Sequence, residues 1–351
     1  SCRFNNDASA YKTFGTPTSA RKLTLSAWVK RSDILTDSTI FSVYTNTSNR
    51  TDIRFNPDEK LNLYENVGDA EKYRLVTARE FKDPNAWYHI VLAMDTEQGT
   101  TANRIKIYVN GVQETAFDTE VYPDEDYDLF FGSALAHSIG SNSNDEYYFA
   151  GYMAEVYYID GTQYAASDFG EFDEDSPTIW KPKDASGLTF GNNGFYLDFE
   201  ASDNLGNDAN GGTDLTEAGL AAVDQCVDSP TNNFGTWNAL DPFSGTAATY
   251  AQGNNYVSNG GGGADWSTSN IGLTTGKWYM EMLIVQMSSV RYTMATVVAN
   301  HSPGTNGDAQ AQPYSWTYYG HNGHKYNLGD VGEYGDTWTV GDYISIALDL
   351  D

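Results

Sequence analysis

The sequence predicts an all-β protein of two antiparallel β-sandwiches joined by an Asn/Asp/Gly-rich segment. Three observations carry that prediction. Apolar and polar residues alternate with period two through run after run, the pattern of strands that bury one face. Turn signals separate the runs. Asn110-Gly111 sits between two alternating runs, and both residues tolerate positive φ; Asp160-Gly161 repeats the device. No segment of ten or more residues carries an apolar helical stripe with caps, although 215–223 has room for one or two helical turns.

The elements follow in order. Residues 23–30, Leu-Thr-Leu-Ser-Ala-Trp-Val-Lys, form the first long alternating run. Runs at 39–44, 51–55, 60–64, 73–77, 87–94, 104–109 and 147–159 continue the pattern. Short strands at this spacing predict a sandwich or barrel. After about residue 165 the composition shifts: 168–183 is acidic and then proline-punctuated, and 187–219 is rich in Gly, Asn and Asp with one strand-like run at 194–199. Residues 228–242 read as a linker. A second β-rich block holds runs at 277–285, 292–298, 315–319 and 343–350, with Gly260-Gly261-Gly262-Gly263 as a flexible insert early in it. The expected organisation is a first sandwich over 1–167, a joint with one strand over 168–243, and a second sandwich over 244–351. The last run is still alternating at Asp351, so the chain reads as a piece of a longer protein with the second sandwich incomplete.

Lys and Arg number 20 against 48 Asp and Glu, a net charge of −28, while 40% of residues are apolar and 14% aromatic. Those apolar and aromatic shares exclude a disordered acidic tail. The charge excludes nucleic acid as a partner, because phosphate binding needs clustered cations. No run approaches the ~18–20 continuous apolar residues of a membrane helix, so no membrane insertion is expected. The two cysteines, Cys2 and Cys226, exclude a disulfide scaffold and a thiolate metal cluster.

Five pieces of the first block resemble laminin-G-like, or concanavalin-like, jelly-roll modules. They are the opening Ser1-Cys2-Arg3-Phe4-Asn5-Asn6-Asp7-Ala8-Ser9-Ala10-Tyr11, the Leu23–Lys30 strand, Trp87-Tyr88-His89-Ile90-Val91-Leu92, Ile107-Tyr108-Val109-Asn110-Gly111, and Phe149-Ala150-Gly151-Tyr152-Met153-Ala154-Glu155-Val156-Tyr157. In the last block Gly276-Lys277-Trp278-Tyr279-Met280-Glu281 and Gly341-Asp342-Tyr343-Ile344-Ser345-Ile346-Ala347-Leu348-Asp349-Leu350-Asp351 resemble two strands of a SPRY domain. The order of these modules, and the wording of the joint at Trp180-Lys181-Pro182-Lys183, Asn193-Gly194-Phe195-Tyr196-Leu197-Asp198-Phe199 and Asp228-Ser229-Pro230-Thr231-Asn232-Asn233-Phe234, resemble surface proteins of tailed bacteriophages. The resemblance implies a non-enzymatic tail-fibre or surface-appendage protein on the virion surface. Its implied partners are a host cell-surface glycan or receptor and other virion proteins, with a homo-oligomer, a trimer, as the assembly. The alternatives are a glycan hydrolase on a concanavalin-like fold and a purely structural assembly or decoration protein.

Candidate chemistry is sparse. Asp203, Asn207, Asp208 and Asp214 place hard oxygen ligands on a Gly-rich loop that could wrap Ca²⁺, or else form a solvated Asx-rich turn. It is not an EF-hand, since Leu205 stands where a ligand should. Laminin-G-like modules often bind calcium. The paired carboxylates a glycosidase needs have no mid-strand candidate; Glu171 and Asp173 come nearest. No catalytic residue is assigned. His321 and His324 are a weak metal hint. Tyr314, Trp316 and Tyr318 fall on one face of a strand, which is a ligand-stacking platform if outward and core if inward. Asn46, Asn49 and Asn300 begin glycosylation sequons, which carry no meaning in a bacteriophage protein.

Overall fold

The computed structural model describes residues 1–142, 144, 146–242, 248–259, 266–287, 294–298 and 313–351. The Gly260–Gly263 insert, the Asn300 sequon with His301, and the first two residues of the expected 292–298 run lie outside the described residues. The chain divides into two compact units: residues 1–236 with 251–256, and residues 237–250 with 257–351.

The first unit contains β1 (Cys2–Asn5), β2 (Ser9–Thr13), β3 (Lys22–Arg31), β4 (Ser38–Asn46), β5 (Asn49–Phe55), β6 (Lys60–Val67), β7 (Ala70–Glu80), β8 (Trp87–Asp95), β9 (Ile105–Val109), β10 (Val112–Gln113), β11 (Phe117–Val121), β12 (Ala136–Ile139), β13 (Ala150–Asp160), β14 (Gly170–Phe172), β15 (Trp180–Pro182), β16 (Phe195–Leu197) and β17 (Thr216–Ala218). Seven strands form one sheet in the order β1-β13-β3-β8-β9-β10, with β16 also paired to β13. Eight form the other, β11-β7-β6-β5-β4-β12-β2-β17. The ladders are antiparallel throughout. The fold class read from alternation is what the molecule has, because each alternating run has one face to bury and the two sheets bury theirs against each other.

The inner faces supply the core. Leu23, Leu25, Ala27 and Val29 of β3 and Ile90, Leu92 and Met94 of β8 meet Phe41 and Val43 of β4, Ile53 and Phe55 of β5, and Leu61 and Leu63 of β6. All are buried, and each large side chain contributes roughly 1.5–3 kcal/mol.

The outer face of the seven-stranded sheet is also buried. Thr24, Ser26, Trp28 and Lys30 of β3 are 0–2% exposed, although the alternation puts them opposite the core. The covering comes from residues 162–190 and 222–236, which return across this face as a strap. Tyr164 donates its N–H to Thr24 Oγ1 at 2.8 Å. Phe169 and Phe190 pack on Tyr157, centroids 5.4 and 6.3 Å away. The Lys30 ammonium meets Asp228 at 2.7 Å, and Trp87 Nε1 donates to the other Asp228 oxygen at 2.8 Å. Residues 168–236 are therefore folded onto the first unit, where a joint with one strand was expected; they hold β14, β15, β16 and β17. The 215–223 segment is β17 followed by a 3₁₀ turn at Ala222–Asp224, with no α-helix.

His89 shows how closely the strap fits. Its ring stacks on Trp28, with centroids 4.8 Å apart, and Trp180 meets its edge, with centroids 6.0 Å apart. Trp180 Nε1 donates to His89 Nδ1 at 2.9 Å, which assigns the ring proton to Nε2, and Nε2 lies 2.8 Å from Ser26 Oγ. Burial holds the imidazole down at about 3, so it stays neutral. The Ser26–His89 pair is not an activated nucleophile: the nitrogen that would face a carboxylate in a triad faces an indole donor.

The second unit contains β18 (Trp237–Pro242), β19 (Ala248–Ala251), β20 (Tyr256–Asn259), β21 (Ser267–Ser269), β22 (Lys277–Leu283), β23 (Met294–Val298), β24 (Ser315–Tyr319), β25 (His324–Tyr326), β26 (Asp330–Glu333) and β27 (Tyr343–Asp349), with β19 and β20 reaching one residue each into the first unit. β22 pairs β27 over seven residues, and β23-β24-β25-β26 form a four-stranded sheet. Its core among the described residues is small: Ile284, Ala295, Trp338 and Ile344. No helix among the described residues is long and apolar enough to cross a membrane.

Candidate functional site

A cleft of about 670 Å³ opens beside β2 at the edge of the eight-stranded sheet, within the ~300–1,000 Å³ of small-ligand sites. Its cause is the shortness of β17. That strand pairs β2 only from Ser9 to Tyr11, so Lys12 and Thr13 run on without a neighbour on that side. The cleft is walled by three segments: β2 with Gly15 and Thr16, the Gly191–Gly194 turn, and the 210–216 stretch that leads into β17.

Asp160 builds the first two walls. Its buried carboxylate accepts the N–H groups of Thr18 at 2.8 Å, Ser19 at 3.3 Å and Asn193 at 3.1 Å, and Asn193 Nδ2 at 3.1 Å. Asn193 then reads the backbone of Gly15, accepting its N–H at 2.8 Å and donating to its carbonyl at 3.2 Å. The turn has no space for a side chain at Gly191: φ is +76°, and an added Cβ would lie 2.0 Å from the Asp160 carbonyl oxygen. Gly191→Ala is expected to lower unfolding free energy by ~1–3 kcal/mol through forced backbone strain; a urea titration showing a change below about 0.5 kcal/mol would contradict this wall geometry.

Asp208 and Asp214 build the third wall. Asp208 is buried beneath Gly212, and one of its oxygens accepts the N–H groups of Tyr196 and Asn210 at 3.0 and 3.1 Å. Its other oxygen lies 3.6 Å from the Lys12 ammonium. Asp214 accepts the Asp208 N–H at 3.0 Å and Asn204 Nδ2 at 2.9 Å, and those two donors hold its carboxyl below the usual range. Tyr11, 43% exposed, also lines the cleft, with the exposed Asn192 and Asn210 on the walls.

Of the calcium candidates Asp203, Asn207, Asp208 and Asp214, the structure joins Asp208 and Asp214. One Asp208 oxygen and both Asp214 oxygens accept hydrogen bonds from the loop, while the other Asp208 oxygen is buried without a hydrogen-bond partner, 3.6 Å from the Lys12 ammonium. Among the described residues no group of three or more His, Cys, Asp or Glu is placed to hold a metal ion. Asp203 is exposed and Asn207 half-buried.

The aromatic platform is split. On β24 Ser315 and Thr317 are buried, while Trp316 on the opposite face is 57% exposed. Tyr318 is half-buried: its ring packs edge-on against Trp338 at 4.5 Å and Tyr334 at 5.1 Å, and its hydroxyl donates to the Asp336 carbonyl. Tyr314, half-buried, lies in the turn before β24. Tyr318 is thus part of the small core's edge, and Trp316 alone of the three presents a free face. His324 Nδ1 lies 2.9 Å from a carboxylate oxygen of Asp330. Glu171 and Asp173 flank Lys181 at 3.7 and 3.1 Å on the β14–β15 hairpin. Both cysteines are free thiols.

Sequence reasoning gave Tyr11, Lys12, Asn192, Asn193 and Asn210 no role in a site. The available signal was Gly191-Asn192-Asn193-Gly194, a turn with two amides that 191 − 13 = 178 positions separate from the end of β2.

Residues 5–162 match the Concanavalin A-like lectin/glucanases superfamily. No curated protein matches the chain. Among solved structures, it is similar to a Bacteroides ovatus protein provisionally described as carbohydrate binding, at 17% identity and a TM-score of 0.40, covering 62% of this chain and 58% of that one. It is similar to a heptameric pentraxin of Limulus polyphemus at 18% identity and a TM-score of 0.33, covering 45% and 70%. A third likeness is domain 4 of an extracellular arabinanase of Geobacillus stearothermophilus, in complex with arabinotriose, at 20% identity and a TM-score of 0.31, covering 42% and 64%. The chain thus spans less than two thirds of the Bacteroides protein's length. The family match and the two facing antiparallel sheets together make the first unit a concanavalin-like, laminin-G-type jelly roll.

Proposed function

We propose that the first unit binds carbohydrate in the cleft beside β2, and that the chain is a non-enzymatic adhesion component of a bacteriophage tail fibre or surface appendage. The observation that carries the binding reading is one cleft lined by the exposed Tyr11 together with Lys12, Asn192, Asn210 and Asp214. A sugar ring offers a patch of C–H groups on one face and hydroxyls at its rim; an exposed tyrosine face and a ring of amides and carboxylates complement both. The match of residues 5–162 to a superfamily of lectins and glucanases supports it. The virion setting, with host glycan or receptor and other virion proteins as partners in a trimeric assembly, rests on the resemblance of the joint and of the module order to phage surface proteins.

The test is isothermal titration of the full chain against oligosaccharides that score on a glycan array. Tyr11→Ala is expected to weaken binding about tenfold, the equivalent of ~1.4 kcal/mol, with the melting temperature little changed. Binding unaffected by Tyr11→Ala would place the site elsewhere. Turnover of the bound glycan would favour the hydrolase, and silence across the array with tight association to virion proteins would favour a purely structural component.

A further inference from the structure

We infer that this cleft selects uncharged sugars over anionic ones, an inference that rests on the carbohydrate reading of the same cleft. Lys12 is the cation that lines the cleft among the described residues, and its charge is already matched. Its ammonium lies 3.6 Å from an oxygen of Asp208, whose side chain is 0% exposed. A sugar carboxylate or sulfate approaching Lys12 would therefore have to displace a buried carboxylate that cannot follow it into solvent. A second carboxylate, Asp214, stands on the exposed wall, and its two hydrogen-bond donors keep it ionised at neutral pH. One positive charge against three carboxylates, those of Asp208, Asp214 and the wall-building Asp160, leaves the cleft at 1 − 3 = −2, on a chain whose net charge is −28. An anion within a Debye length of ~8 Å at physiological salt feels that field.

The neutral chemistry of the cleft points the same way. Past Tyr11, β2 loses its β17 partner, so of Lys12 and Thr13 one directs its N–H and C=O toward the open side. An N–H, a C=O, two amides and a phenol face match the mixed donors and acceptors of an uncharged polyol. They offer an anion no free cation.

The experiment titrates the full chain, at 0.15 M and 0.5 M salt, with neutral hexamers (cellohexaose, maltohexaose, mannohexaose) and with hexagalacturonate and hexaguluronate. Expected is binding of at least one neutral hexamer that Tyr11→Ala weakens, with uronate hexamers at least tenfold weaker at 0.15 M salt. The gap should narrow at 0.5 M salt and in Asp214→Asn, whose amide oxygen can still accept the Asp208 N–H. Uronate binding as tight as or tighter than neutral binding, lost in Tyr11→Ala, overturns the selectivity and leaves the carbohydrate reading standing. Failure of every neutral and anionic glycan to bind overturns both. A neutral-over-anionic gap that neither salt nor Asp214→Asn moves overturns the electrostatic cause assigned here.

Discussion

Asp228→Ala is expected to destabilise the first unit by about 3–5 kcal/mol, the usual cost of stripping one partner from a buried ion pair. Lys30 and Asp228 have side chains only 1% and 8% exposed, and their atoms meet at 2.7 Å. Burial pulls the Lys30 ammonium below its ordinary range, and Asp228 opposes that pull. Without Asp228 the ammonium keeps Asn233 Oδ1 at 2.7 Å and the Phe234 carbonyl at 2.9 Å, which solvate it without neutralising it. The Trp87 N–H loses its acceptor as well. The measurement is a urea unfolding midpoint, with amide exchange over residues 222–236 to show whether the strap frays first. The double variant Lys30→Met/Asp228→Leu is expected to recover most of the loss, since a buried pair contributes little net stability over apolar residues of similar volume. A single-variant loss below about 1 kcal/mol would mean that the strap is held by its aromatic contacts alone.

The second large effect is on pH dependence. Glu65 of β6 is fully buried and accepts Tyr127 OH at 2.6 Å, Tyr73 OH at 2.8 Å and the Phe130 N–H at 3.0 Å; Thr51 closes the cluster through Tyr73 at 2.9 Å. The groups facing it carry no positive charge. Burial pushes its carboxyl up to about 7 from an ordinary 4.5, against the opposing hydrogen bonds. The folded state therefore holds a proton that the unfolded chain releases near pH 4.5. The associated stability is fully present below that pH and is lost as pH rises through about 7, a total of about 3 kcal/mol. Glu65→Gln removes the titration and keeps an oxygen for Tyr73 and Phe130. The difference in unfolding free energy, native minus Glu65→Gln, is expected to fall by about 3 kcal/mol between pH 4.5 and 8. A flat difference would show that the carboxyl is ionised across that range. Because Tyr127 and Phe130 belong to the crossing between β11 and β12, amide protection in 122–132, corrected for intrinsic exchange, should be lower at pH 8 than at pH 5, and Glu65→Gln should remove that difference.

Much of the fold was legible along the chain. Residues 23–30, 39–44, 51–55, 60–64, 73–77 and 87–94 became β3 to β8 with ends moved by a few residues. Period-two alternation decides which side chains share a face, and burying the apolar face suffices to build the inner core. Asn110-Gly111 closes the β9–β10 hairpin with φ of +48° and +79°, as its composition requires. Less of the site was legible. Asp208 and Asp214 are legible as clustered oxygen donors, but their place beside β2 and the 3.6 Å approach of Lys12 to Asp208 come from residues nearly 200 positions away.

What the sequence determined by itself is local: strands, hairpins, the all-β class and a strongly acidic surface. Tertiary structure decided what lies opposite each outward residue. Thr24, Ser26, Lys30 and His89 occupy polar positions of their strands, and alternation cannot distinguish a polar face turned to water from one lying under a strap 60 to 200 residues away in the chain. Trp28 and Trp87 on that same outward register are the trace the strap leaves in the sequence. The cleft has a similar origin. It exists because β17 stops after three residues, and the length of a ladder is settled by the neighbour it pairs with, through hydrogen bonds that no single run of residues encodes.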